Sequence, residues 1–204
     1  HMADGIQILS TDHSCNVIVD DVTHLAEPFF VDGLISKAVD KVSGEGVTYI
    51  SSAGNFADWG YADQFYPANE NETFHSFSQD GNIYQEVRFE KPGVYIIVLQ
   101  WDDVYKSLGG INNSGAQNDL DISLVDNNGN KLVSLNCNNT GGDPVEVMPI
   151  KVENAGALAN VVIQKAPGNA NVNFKYIVFV GGQDFTILSQ SSSVPTIVGQ
   201  ANAI

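Results

Sequence analysis

Positive charge is scarce in this chain: 9 Lys and Arg stand against 24 Asp and Glu, a formal net charge of −15 over 204 residues. Such a field repels polyanions, which argues against nucleic acid and anionic membrane surfaces as partners. Long apolar runs are missing too. None approaches the roughly 18 to 20 residues of a membrane span, and no secretory leader pattern is present. The only cysteines are Cys15 and Cys137; they could form one bridge at most, and nothing in their placement calls for it. Both are expected as free thiols, Cys15 buried in a sheet. A nucleophile elbow is absent: Ser189, Ser191, Ser192 and Ser193 read as a polar linker, and neither Gly-x-Ser-x-Gly nor Gly-Thr-Ser occurs. The histidines, His1, His13, His24 and His75, show no metal-ligand spacing.

What is present begins at Cys15. Val17-Ile18-Val19 is a short β-branched run, the pattern of a parallel strand covered on both faces, and it ends at Asp20-Asp21. Leu34, Ile35, Ala38, Val39 and Val42 then fall at helical spacing, with Asp32 placed as the N-cap and Gly44 and Gly46 as stop signals. The spacing predicts a helix over 33–43. Val47 to Ile50 resumes an extended pattern and leads into Ser51-Ser52-Ala53-Gly54-Asn55. Together these make a βαβ unit with an expected right-handed crossover. Asp20-Asp21 and Gly54-Asn55 both lie beyond the carboxyl ends of its strands, where open α/β sheets form their sites.

The stretch from Val17 to Asn55 resembles the segment of subtilisin-like serine proteases in which a strand reaches the substrate cleft, a helix returns, and the next strand ends in Ala-Gly-Asn. The resemblance implies that Asp21, Val22, Thr23 and His24 form the backbone stretch that pairs with an extended peptide substrate, with Gly54 beside it. It implies that Asn55 donates its side-chain amide to the tetrahedral oxyanion, a contact worth about 100- to 1,000-fold in turnover for subtilisin's own asparagine. Subtilases commonly carry serine and glycines in the cleft strand, where this chain has Asp21, Thr23 and His24. The alternative account of His24 is a solvent-exposed loop histidine, and that of Asp20 and Asp21 a strand-end turn. No catalytic Asp, His or Ser in subtilase context occurs, and His13 lacks the surroundings of a catalytic histidine.

A shorter likeness covers Pro195 to Ala203, similar to the subtilase segment that re-enters the sheet, with Gln200 where a histidine is expected. His1-Met2 reads as a cloning remnant outside the fold, and the apolar end at Ile204 as a cut within a longer chain. Between the two likenesses the character changes. Ile83 to Phe89 alternates strictly, Val94 to Trp101 is a longer strand, and Leu120, Ile122 and Leu124 alternate ahead of an Asn127-Asn128-Gly129-Asn130 hairpin turn into Lys131 to Val133. Further strands are expected over 145–152, 158–164, 172–180 and 185–188. About eight short strands without helical period predict a β-sandwich or jelly roll, with Trp101, Phe174, Tyr176 and Phe179 as its bulk. Leu99-Gln100-Trp101-Asp102 and Asp119-Leu120-Asp121-Ile122 resemble the small sandwich modules that accompany secreted bacterial peptidases.

Asp119, Asp121 and Asp126, with Asp102 and Asp103 upstream, are the candidates for calcium, a cation that takes about six to eight oxygen ligands. The spacing is not an EF-hand, since Asn130 stands where the bidentate glutamate belongs; aspartates on a solvent-facing strand are the other account. Trp59, Tyr61 and Tyr66 are read either as a contact surface or as an apolar seal.

The expected organisation is a subtilase catalytic-domain fragment over 3–66, an inserted sandwich over 67–190 and a return to the first fold over 191–204, β-dominated overall. The function implied by the resemblance is part of an extracellular or cell-surface endopeptidase acting on peptides or proteins, inactive as this chain alone and needing no cofactor unless calcium binds. The other class open is a non-catalytic carbohydrate- or protein-binding sandwich. A lone βαβ is short of core, so the sheet is expected to self-associate or to pack its helix on the sandwich.

Overall fold

The computed structural model describes residues 2–56, 58–69, 73–110, 112–166, 172–180 and 185–188. They fall into two compact units, parted between Asn55 and Phe56. Strands dominate. Among the described residues no helix is long and apolar enough to cross a membrane.

The N-terminal unit runs α1 (Met2–Thr11), β1 (Val17–Asp20), α2 (Leu34–Gly44) and β2 (Thr48–Ser51). Strands β1 and β2 pair in parallel, Val17 opposite Thr48 through Asp20 opposite Ser51. The sequence pattern did not foretell α1. Met2 is not outside the fold; with Ala3 it packs against the cluster of Ile6, Ile18, Ala38, Val39 and Val42. Helix α2 therefore finds its cover in α1, and Lys41 donates to the Gln7 side chain at 3.3 Å.

Three expectations for this unit are corrected. The sheet is covered on one face only: Ile18 is buried, while Val17, Val19 and Ile50 remain 56 %, 67 % and 50 % exposed. Cys15 is half-buried and precedes β1 instead of lying in the sheet; it and Cys137 are free thiols. Asp32 does not cap α2. The N-cap is Gly33, and the Glu27 carboxylate accepts the Ile35 and Ser36 amides at 3.1 and 3.2 Å. Residues 27–33 fold back beneath the helix start, so a Cβ on Gly33 would lie 2.6 Å from the Pro28 ring; only glycine allows the approach.

The second unit carries β3 (Gly60–Gln64), β4 (Gln85–Phe89), β5 (Gly93–Trp101), β6 (Leu120–Val125), β7 (Lys131–Leu135), β8 (Val145–Val152), β9 (Ala157–Lys165), β10 (Asn173–Val180) and β11 (Phe185–Ile187). They form two antiparallel sheets, ordered β3-β10-β5-β8 and β11-β4-β9-β6-β7. Alternate residues from both sheets meet in one core, with Trp101, Tyr95, Tyr176 and Phe174 fully buried. Phe179 is buried on the other face of β10, its ring 5.0 Å from that of Phe56.

The sandwich begins earlier than residue 67. Strand β3 pairs with β10, Tyr61 opposite Tyr176, so Tyr61 is a core residue and Trp59 packs half-buried against the same core. Of the three aromatics read as a surface, Tyr66 alone is exposed, at 52 %. The expected return over 191–204, the likeness at Pro195 to Ala203 and the Ser189 to Ser193 run lie outside the described residues.

Candidate functional site

Parallel register decides what meets at the carboxyl edge of the β1–β2 sheet. With Asp20 opposite Ser51, the segments 20–24 and 51–55 leave the sheet side by side. The junction is tied by the Ser52 amide donating to the Asp20 carbonyl at 3.3 Å. The Asp20 side chain is the organiser. One carboxylate oxygen accepts the Tyr49 hydroxyl at 2.5 Å and the other accepts the Val22 amide at 3.1 Å. Burial works against its charge, but the Tyr49 hydroxyl, the Val22 amide, Ser51 and nearby His24 more than offset that, leaving the carboxyl below the usual range. The Tyr49 hydroxyl is pushed up by burial and by the same carboxylate. Asp20 is thus an anion held in place through both of its oxygens, a positioning group and no proton donor near neutrality.

Beyond it, Asp21, Val22 and Thr23 are exposed and belong to no strand. Of their backbone donors, the Val22 amide is already taken by the Asp20 carboxylate. His24 is not a solvent-exposed loop residue: it is half-buried, and its Nε2 is buried with no hydrogen-bond partner among the described residues. On the other side, Gly54 adopts φ +74°, the left-handed region that turns the chain out of β2, and Asn55 follows it fully on the surface. Its carboxamide carries two N–H donors beyond the strand end.

The calcium candidates take separate duties. Asp126 closes the β6–β7 hairpin by accepting the Asn128 and Asn130 amides, each at 2.8 Å, and the Asn130 side chain. Asp119 accepts the Asn139 amide at 2.9 Å, and Asp103 accepts the Gln117 and Asn118 amides. No group of three His, Cys, Asp or Glu side chains that could hold a metal occurs among the described residues.

Asp121 has a different neighbour, which the sequence reading missed. Glu146, only 3 % exposed, accepts the Ile122 amide at 3.1 Å and the Cys137 amide at 3.2 Å, stitching β8 to the ends of β6 and β7. Burial, with Asp121 and Asp119 adding repulsion against the two amides, pushes its carboxyl up to about 7. Burial and Asp119 push Asp121 up to about 6, with Lys131 opposing. One Asp121 oxygen is buried without a partner. Repulsion and burial in this cluster thus make Asp121 and Glu146 take up protons more readily than ordinary carboxyls.

No sequence-family profile and no curated protein matches the chain.

Proposed function

We propose that the N-terminal unit is the βαβ element of a subtilisin-like endopeptidase that carries the oxyanion asparagine, with the sandwich inserted after it. The carrying observation is the parallel register of β1 and β2, which sets segment 20–24 and the Gly54-Asn55 turn at one sheet edge. Two further facts support the reading. Residues 21–23 are exposed beside that edge and belong to no strand, so an extended peptide would pair with the groups of this stretch other than the Val22 amide, which Asp20 holds. The far face of the sheet leaves Val17, Val19 and Ile50 uncovered, whereas parallel sheets bury both faces, so these strands suit a wider sheet with helices on its other side.

In this reading the Asp-His-Ser triad comes from sequence outside this chain, and Asn55 supplies the side-chain half of the oxyanion hole. Peptides or proteins outside the cell are the substrates. The 204-residue chain by itself then shows no peptide hydrolysis, and a fluorophosphonate probe labels none of its serines. Labelling at a nucleophilic serine would sink the proposal. In a polypeptide that includes the flanking sequence, Asn55→Ala lowers kcat by about 100- to 1,000-fold with KM little changed; an unchanged kcat counts against the assignment.

A further inference from the structure

Strand β3 carries a carboxylate on the wrong face for a structural residue. Tyr61, Asp63 and Phe65 share one side of the chain, and the first and last are buried in the core at 5 % and 3 % exposure. Asp63 lies between them, at the rim of the sandwich. It is held there from the inside. The Tyr61 hydroxyl donates to one Asp63 oxygen at 2.7 Å, and the Gln64 amide donates to the other at 2.8 Å. Behind Tyr61 stands His75, completely buried, its Nε2 3.4 Å from the Tyr61 oxygen. The Tyr66 amide donates to His75 Nδ1 at 3.2 Å, which puts the ring proton on Nε2.

The polarity of this chain is therefore fixed. The backbone amide points at His75, His75 points at Tyr61, and Tyr61 points at Asp63, so every proton is directed outward and the only charge sits at the carboxylate. Burial keeps the imidazole neutral, its pKa pushed down to about 3, and the rings of Phe65, Phe77 and Phe174 enclose it at 4.8 to 5.6 Å. A hydrogen-bonded relay that orders one surface carboxylate is the kind of support that recognition sites have and strand rims do not need.

That carboxylate opens onto a cavity of about 400 Å³, whose walls include Tyr66, Pro67, Phe77, Ser78 and Gln79. The volume is in the range of small-ligand sites. Among the described residues, no cationic side chain lines it. An oriented carboxylate, a half-exposed tyrosine ring, a proline and hydroxyl and amide groups form a set that suits a planar cation: carboxylate for paired N–H donors, aromatic face for the delocalised charge. The net charge of −15 draws such a cation in.

We propose that this cavity binds the guanidinium or ammonium side chain of a peptide or protein partner, with Asp63 as the charge partner and Tyr66 as the aromatic wall. The assignment stands apart from the reading of the N-terminal unit and makes the sandwich a recognition module in its own right.

The test is an amide NMR titration of the whole chain with the blocked tripeptide acetyl-Gly-Arg-Gly-amide, run beside the same peptide carrying citrulline, which keeps the shape and loses the charge. The expected result is saturable shifts at Asp63, Tyr66, Ser78 and Gln79 with arginine and none with citrulline. Asp63→Asn weakens binding about tenfold. Tyr61→Phe, which leaves the ring in the core and removes only the hydroxyl that orders the carboxylate, weakens it by a smaller factor. Equal response to the two peptides, shifts spread over the acidic surface without saturation, or unaltered affinity in Asp63→Asn would each overturn the proposal. Should Asp63→Asn disturb the strand, the comparison of arginine with citrulline on the unaltered chain decides alone.

Discussion

The two units solve the same problem with unequal means. Among the described residues, the sandwich closes two sheets on a core of 23 buried apolar side chains, including Trp101, Tyr95, Tyr176 and Phe174. Among its described residues the N-terminal unit gathers five, Ile6, Ile18, Ala38, Val39 and Val42, and leaves Val17, Val19 and Ile50 on the other face of its sheet exposed. Burial scales the stability each can hold. That disparity governs where chemistry can be placed. In the sandwich, polar groups near the core must be knitted into networks, as His75, Tyr61, Asp63 and Glu146 are. In the small unit, the exposed strand ends carry the candidate donors, and Asp20 ties the junction between them.

The largest expected effect comes from breaking each core in turn. Trp101→Ala removes a fully buried indole whose N–H donates to the Asn118 carbonyl at 3.2 Å. It should cost the sandwich about 3–5 kcal/mol, read from urea unfolding. Ile6→Ala removes one of the five buried side chains of the small unit, a change of about 2–5 kcal/mol by class. That is comparable to all a core of this size supplies. The amide signals of 2–51 should collapse towards random-coil positions while those of the sandwich keep their dispersion. Joint loss of both sets of signals would break the comparison.

Legibility in the sequence followed the same divide. Alternation exposed eight of the sandwich strands, because β-branched and aromatic residues repeat every second position there. It failed for β3, where Gly60-Tyr61-Ala62-Asp63-Gln64 has no β-branched residue and its tyrosine invited reading as surface. Nor does alternation alone decide the phase of β8. Val145, Val147 and Pro149 compete with Glu146, Met148, Ile150 and Val152 for the inward face, and the bulkier set wins, carrying Glu146 into the interior. In the small unit the βαβ was readable, but α1 was not, since its 10 residues MADGIQILST bury only Ile6 fully. The Glu27 cap was invisible for another reason. It reaches across eight residues, and capping rules look only at neighbours.

A second way to sharpen the contrast uses pH, because the sandwich holds titratable groups whose shifts oppose one another. Asp121 and Glu146 are raised from 3.8 and 4.5 to about 6 and 7. Their contribution is fully present below the ordinary carboxyl range and is lost as pH rises through 6 to 7. His75 is depressed from 6.5 to about 3, so its contribution is present above 6.5 and lost as pH falls towards 3. Asp121→Asn removes one charge from the cluster and none of the two amide bonds that Glu146 accepts. The variant should be more stable than the parent by about 1–2 kcal/mol at pH 8 and equal to it at pH 4. Thermal unfolding at both values checks this, and a variant destabilised at pH 8 would show that Asp121 accepts a bond of more worth than the repulsion it brings.

The smallest effect sits at the start of α2. Helix N-termini leave their first amides without partners, and here the Glu27 carboxylate takes two of them while also placing negative charge at the positive end of the helix dipole. Glu27→Ala should cost about 1 kcal/mol, the usual worth of a side-chain cap. In the sandwich such a loss would vanish within the stability of its core. In the small unit it should be visible as faster amide exchange through Ile35 to Val39, because little burial backs those hydrogen bonds. Glu27→Gln separates the two contributions: its side-chain oxygen can still accept the Ile35 and Ser36 amides, so it restores the cap and omits the charge. Exchange in Glu27→Gln close to that of the parent would assign the effect to hydrogen bonding, and exchange close to that of Glu27→Ala would assign it to the dipole. Unchanged exchange in Glu27→Ala would mean that α1, by covering α2, holds the helix start without a cap.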